Sequence, residues 1–265
     1  MNNILQRLSA GQWLGAAILL MLVVTAWLVP LLGYDQPNAQ NLQHSFAGIS
    51  AKFPLGSDQF GRDMLARLAA AVRLSLGLSL LCVVTAAILG VSLGVMAAWG
   101  SQTVDSIINF VANTVMSLPG LVLVLLVAGL SPGSFVMLYV GIALTLWVEY
   151  FRVVRASVKP LINSLEIQSS MMLGFGRWYI FRRHIWPAIA GNVMTMAVFG
   201  AATSILMMAA TGFVYAGLKP PTAELGLMIV ELFPYFAQAT WVLIQPLVVM
   251  LLMVLGFNLL AGQQE

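Results

Sequence analysis

The chain has 265 residues, 60% of them hydrophobic and only 8% charged. A soluble domain carries about 25% charged residues, and no soluble fold of this length can hide so much apolar side chain. That balance excludes an ordinary cytoplasmic enzyme, a disordered chain and a nucleic-acid module, and makes the bilayer the expected solvent. Twelve Lys and Arg against nine Asp and Glu give a net +3, which reflects scarce charge rather than a basic face. The single cysteine, Cys82, excludes a disulfide framework and a thiolate zinc site. Histidine is limited to His44 and His184.

Crossing the hydrocarbon takes about 20 apolar residues, so charge-free stretches count the spans. Trp13 to Leu32 is the first. It is read as a retained helix, because Leu31-Leu32-Gly33-Tyr34 is a poor signal-peptide cleavage site. Leu74 to Val104 gives the second helix. Ser106 to Val148 is too long for one span and is divided at Ser131-Pro132-Gly133 into helices three and four. Ile185 to Leu218 supplies the fifth, starting after Pro187, and Leu232 to Gln264 the sixth, from near Gln238 with Pro246 inside.

Six helices put both termini on one side. Arg7, Arg152, Arg155, Lys159, Arg177, Arg182 and Arg183 then share that side, against Lys52, Arg62, Arg67, Arg73 and Lys219 on the other. The positive-inside rule favours an N-in, C-in orientation. The expected layout is a cytoplasmic N-terminus (1–12), a first span (13–32), an extracytoplasmic loop (33–73), a five-helix core (74–260) and a short cytoplasmic tail (261–265). The core would include a long cytoplasmic segment, 149–184. A third polar segment, Thr211–Ala237, is expected outside. None of the six hydrocarbon spans is expected to hold an acid.

A connector as long as 149–184 is rarely only a connector. Its first residues, Glu149 to Arg155, are expected to continue helix four past the membrane, where Glu149 and Arg152 are spaced to pair. Ser164 is placed to cap a short helix with Glu166 in its first turn. Leu165, Met172 and Leu173 recur at helical spacing, and Gly174 is placed to end the helix. Such a helix suits either a groove on another protein or the lipid surface.

In this segment Gln168-Ser169-Ser170 stands where the cytoplasmic loop of binding-protein-dependent ABC permeases has Glu-Ala-Ala, and Gly174 matches that loop's glycine. Phe181-Arg182-Arg183-His184-Ile185-Trp186-Pro187 resembles its Phe-Arg-His-Ile-Leu-Pro ending. Phe53-Pro54-Leu55-Gly56-Ser57-Asp58-Gln59-Phe60-Gly61-Arg62-Asp63 looks like the His-Pro-Leu-Gly-Thr-Asp-x-x-Gly-Arg-Asp signature of the oligopeptide, dipeptide and nickel branch. Arg67 and Arg73-Leu74-Ser75-Leu76 continue the match. Ser117-Leu118-Pro119-Gly120, Gly217-Leu218-Lys219-Pro220-Pro221-Thr222 and Gly256-Phe257-Asn258-Leu259-Leu260 follow in family order. The Gln-Ser-Ser departure keeps two small residues and loses a charge.

The resemblance implies an all-α integral membrane protein with the type I ABC importer permease fold, resident in the bacterial inner membrane and not itself an enzyme. It implies four kinds of partner: a second permease subunit forming a heterodimer, two ABC ATPase subunits, an extracytoplasmic binding protein and membrane lipid. It assigns an ATPase-coupling helix to Leu165, Glu166, Gln168, Ser169, Ser170, Leu173 and Gly174. It assigns a signature loop to Gly56, Asp58, Gly61, Arg62 and Asp63, with Met207, Met208 and Pro119 as candidate pathway lining.

No Gly-x-x-x-x-Gly-Lys-Ser/Thr loop occurs, so ATP hydrolysis is expected on the partners. No catalytic constellation, cofactor site, metal site or nucleic-acid surface is expected. The fifteen methionines are read as apolar filler. Peptide-type relatives resemble Ala-Glu-Ala-Gly-Leu-Ser-Phe where this chain has Met207 to Phe213, so Met208 replaces a glutamate. A pathway without carboxylates argues against a naked divalent cation. Pro221-Thr222-Ala223-Glu224-Leu225-Gly226-Leu227-Met228-Ile229 looks closer to nickel-type members. The cargo is therefore read as a metal–chelator complex, with di- or oligopeptides as the alternative. A stand-alone secondary transporter is the alternative from another class.

Overall fold

The structure is a computed structural model that describes residues 9–262. Arg7, the rest of 1–8 and residues 263–265 lie outside the described residues. Helices α1 (Ala10–Leu31), α2 (Met64–Trp99), α5 (Phe135–Ile162) and α10 (Thr240–Ala261) are each long and apolar enough to cross a membrane. So is the continuous run of α7 (Arg177–Ile180), a π-helical turn (Phe181–Ile185) and α8 (Trp186–Phe213). A sixth span forms if α3 (Gln102–Val115) and α4 (Gly120–Gly129) are counted together, because they meet at a 78° bend. Two short helices, α6 (Leu165–Met172) and α9 (Leu225–Leu232), complete the set.

The helices start where side chains can satisfy their free N–H groups. Ser9 and Gln12 form a reciprocal capping box, so α1 begins three residues before the charge-free stretch. Asp63 caps α2, accepting from the backbone N–H groups of Leu65 and Ala66 at 2.7 and 3.1 Å. This places Arg67 and Arg73 inside the helix rather than in the 33–73 loop. Charge counting put the start ten residues late because those arginines are paired or lie near the helix end, where charge is tolerated. The expected division at Ser131-Pro132-Gly133 is present, and Ser117-Leu118-Pro119 adds a second break inside helix three. Pro160 and Pro246 both lie within helices, α5 and α10.

Helix α2 lies in the middle, packed most extensively on α5. Gly90 and Gly94 face Tyr150, Phe151 and Val154 of α5, and a Cβ on either glycine would sit within 3 Å of that helix. Small residues allow this close approach, which drives helix association in lipid. Helix α1 packs on α10, and Gln12 Nε2 donates to Gly262 O at 2.9 Å. The first and last spans therefore end together, at the end of the bundle that also carries α6.

Thr211–Ala237 departs from its reading as a polar outer segment. Helix α9 folds back against α8 and α10, leaving Leu225, Leu227 and Met228 at most 1% exposed. The sequence here is apolar because it is interior, although it is too short to span.

Candidate functional site

The first candidate region is the loop before α2, at the end of the bundle opposite α6. Asp58 closes it. Its Oδ1 accepts from the backbone N–H groups of Phe60 and Arg62, both at 2.9 Å, and its Oδ2 accepts from Arg62 Nε at 2.5 Å. Gly56 and Gly61 have φ of +78° and +68°, and a Cβ there would overlap the Trp241 ring and the Asn41 carbonyl oxygen respectively. Only glycine combines that backbone with those neighbours. Burial pushes the Asp63 carboxyl up, against the two helix N–H bonds that hold it down.

Arg62 and Arg67 are both 1% exposed, which leaves two guanidinium groups side by side in the interior. Two carboxylates balance them. Asp58 Oδ2 lies 3.4 Å from Arg67 Nε. Glu231 Oε2, from α9, lies 3.0 Å from Arg67 Nη2 and 3.3 Å from Arg62 Nη2. Buried charge persists only when paired in this way. The cluster staples the loop, the start of α2 and α9 into one unit. Gln245 Nε2 adds α10 by donating to Leu55 O at 2.9 Å.

Glu224 caps α9 from within. Its two oxygens accept from Gly226 and Leu227 N–H at 2.9 and 2.7 Å, and the residue is 1% exposed. Burial outweighs those bonds and pushes the carboxyl up to about 7. An acid thus sits deep in a segment that was expected to be a solvated loop.

At the other end, α5 continues well past the apolar core, as expected. Asp105, in the first turn of α3, accepts from Arg155 Nε and Nη2 and, at 3.1 Å, from Lys159 Nζ. This charge-assisted fork ties α3 to α5. Arg152 donates to Asn113 Oδ1 at 2.9 Å, so Asn113 on α3 takes the place of the anticipated Glu149 partner.

Helix α6 spans Leu165–Met172, and the C-terminal turn follows at Leu173 and Gly174, the latter with φ of +82°. Ser164 holds the N-cap position, but its side chain makes no capping bond. Leu165, Met172 and Leu173 are 82%, 87% and 77% exposed, whereas Ile167 and Ser170 are buried. The outward face is apolar and uncovered within the subunit. Glu166 and Ser169 are also exposed, and Gln168 Nε2 donates to Asn163 O at 3.4 Å. Nothing lies within 4 Å of a Cβ on Gly174, so that turn is open rather than close-packed.

The pathway candidates separate. Pro119 is exposed at the bend between α3 and α4. Met207 is half-buried, with Thr145 Oγ1 3.7 Å from its sulfur and Gly120 beside its methyl. Met208 is 1% exposed and belongs to the core cluster, so it lines no surface in this conformation. Its neighbour in sequence points elsewhere, as adjacent helical residues must.

The sequence also matches a known family. The family model for the binding-protein-dependent transport system inner membrane component matches residues 90–264. The chain belongs to this family. The permease is 31% identical over 253 residues to the di/tripeptide transport system permease protein DppC of Pseudomonas aeruginosa strain UCBPP-PA14, covering 93% of this chain and 83% of that one. It is 28% identical to the glutathione transport system permease protein GsiD of Pectobacterium atrosepticum, covering 93% and 82%. It is 29% identical to the nickel transport system permease protein NikC of Escherichia coli K12, covering 92% and 87%. The permease is thus a multi-pass inner-membrane subunit of an ABC importer in the peptide and nickel branch.

Sequence reasoning missed Glu231, Glu224 and the Asp105 fork. Glu231 carried a signal: it is the one acid in the apolar run Leu225–Tyr235. A lone carboxylate among apolar residues asks for a buried cation.

Proposed function

We propose that this permease is one of two membrane subunits that together form a gated pathway for a small solute handed over by an extracytoplasmic binding protein. Two ATPase subunits dock on the end that carries α6, which lies in the cytoplasm with both termini. The loop 33–63 and α9 lie at the outer end, where they meet the binding protein. Helix α6 is the coupling helix: Leu165, Met172 and Leu173 enter a groove on the ATPase, with Glu166, Gln168, Ser169 and Ser170 on the same short element and Gly174 turning the chain away. The observation that carries this reading is the apolar, exposed face of α6 at the end of the bundle where α1 and α10 meet. ATPase closure would move this end and switch the pathway between outward and inward access, with the Pro119 bend and Met207 along the route.

For the cargo, the support comes from the relatives, which are permeases of di/tripeptide, glutathione and nickel systems at similar identity. A metal–chelator complex fits the 221–229 segment, which looks closer to nickel-type members. A di- or tripeptide fits at least as well, because the relatives at similar identity include di/tripeptide and glutathione systems. The assay is uptake into proteoliposomes holding the assembled complex, comparing a radiolabelled dipeptide, nickel with histidine and free nickel. Accumulation of free nickel alone would defeat both cargo readings. Co-purification separates the docking reading from cargo. Retention of both ATPases by Leu165→Ser/Leu173→Ser would reject α6 as their site.

A further inference from the structure

The main chain joins α6 to the helix that follows it through a short turn, in which Phe175 N–H donates to Ser170 O at 3.1 Å. Gly174-Phe175-Gly176 makes the link, and no atom lies within 4 Å of a Cβ at either glycine. A second link bypasses it through side chains. Ser170, 9% exposed, is the inward-facing polar residue of α6, and its Oγ lies 3.2 Å from His184 Nε2. The same hydroxyl donates to Glu166 O at 2.9 Å. A serine has one proton to give. With that proton on the Glu166 carbonyl, His184 Nε2 must donate and Ser170 Oγ must accept, which fixes the tautomer of the neutral ring. The other ring nitrogen, Nδ1, lies 4.0 Å from Glu166 Oε2 on the same helix. With the proton on Nε2, Nδ1 is an acceptor and makes no hydrogen bond to that carboxylate, so Ser170 is the ring's hydrogen-bond partner on α6.

His184 belongs to the π-helical turn Phe181–Ile185, which runs without a break into α8. Wide turns of this type are costly and tend to persist where they position a side chain. Here the turn sets the ring beside Ser170, fourteen residues away in sequence. Ile167 of α6, Ile180 before the turn and Ile185 at its end are each buried. Helix α8 carries Met207 at its far end.

We propose that Ser170 and His184 are a positioning pair that locks α6 to the root of α8, so that the two helices move as one body when the ATPases close. The lock runs beside that main-chain turn and carries the displacement of α6 to the helix that borders the pathway. This inference rests on the reading of α6 as the coupling helix.

The test uses the full reconstituted complex, with spin labels at Met171→Cys and Met194→Cys and with Cys82→Ala removing the native thiol. Both label positions are exposed, and Met171 lies at the edge of α6 rather than on its apolar face. Pulsed dipolar distances are measured without nucleotide and after vanadate trapping with ATP. The parent is expected to keep one narrow α6–α8 distance in both states. Ser170→Ala and His184→Leu are expected to broaden it or shift it by about 2 Å or more on trapping, the scale of interface helix movements. Ser170→Thr and His184→Gln, which keep the acceptor and the donor, are expected to restore the narrow distance. An unchanged distance in Ser170→Ala, or a parent distance that itself changes on trapping, would overturn the lock. The Leu165→Ser/Leu173→Ser co-purification separates the two failures. Loss of the ATPases there, with a rigid Ser170→Ala, sinks the lock alone, whereas retention of the ATPases sinks the coupling-helix reading.

Discussion

Replacing Glu231 by glutamine removes one of four charges from a nearly dry cluster and leaves its shape almost intact. Arg62 and Arg67 are 1% exposed, and the side chains of Asp58 and Glu231 are 2% and 9% exposed. In the parent, two cations face two anions. In the variant, Asp58 alone faces both guanidinium groups, which it meets at 2.5 and 3.4 Å. Breaking a buried pair on one side costs about 3–5 kcal/mol, and the lower end applies because Glu231 keeps a little contact with solvent. At about 2–4 °C per kcal/mol for a chain of this size, the midpoint of thermal unfolding in detergent should fall by roughly 6–12 °C. Glu231→Leu/Arg67→Met supplies the control. It removes one charge of each sign, leaves Arg62 with Asp58 and fills similar volume, so it should recover at least about half of the loss. Two results would refute the reasoning: a midpoint within about 2 °C of the parent for Glu231→Gln, or a double variant as unstable as the single.

Gly61→Ala should also destabilise, by about 2 kcal/mol or more, because its Cβ meets the Asn41 carbonyl oxygen on a backbone with φ of +68°. The same melting assay reads it. Gly174→Ala has the left-handed φ but open space, so its cost should stay near 1 kcal/mol, and the difference between the two glycines tests the packing argument. Glu224 predicts a pH dependence. Its carboxyl ordinarily ionises at 4.5 and is held at about 7 by burial. The folded state therefore binds the proton more firmly, and the associated stability is full below the ordinary value and is lost as pH rises through about 7. The loss should approach about 3 kcal/mol, seen as a lower unfolding midpoint at about pH 8 than at about pH 5, and Glu224→Gln should flatten the profile. Finally, Leu165→Ser and Leu173→Ser should leave the isolated subunit's midpoint within about 2 °C of the parent, because both side chains already face outward, while weakening ATPase association.

Charge-free stretches revealed most of the spans because lipid imposes a one-dimensional rule: about 20 residues without charge, whatever they touch. The same rule misplaced the start of α2, since Arg67 is a helical residue whose charge is cancelled from α9. Helix α6 was legible in its limits, from Leu165 to the turn at Gly174, because a glycine turn acts locally, although the expected Ser164 capping bond is not made. Its partner was not: Ser170 meets His184 across fourteen residues, and no periodicity records that contact. The Gln-Ser-Ser departure reads differently once folded, as Gln168 and Ser169 face out while Ser170 makes a buried bond.

By itself, the sequence determined the solvent, the helical class and the two segments where polar chemistry gathers, because composition and local spacing are properties of the chain alone. Tertiary structure decided which charges cancel. Glu231 and Arg67 stand 164 positions apart and meet at 3.0 Å, while Met207 and Met208 are adjacent and face different surroundings. Pairing in a dry interior depends on distance in space and on the water that is excluded. Both are set only when α9 folds back onto the start of α2.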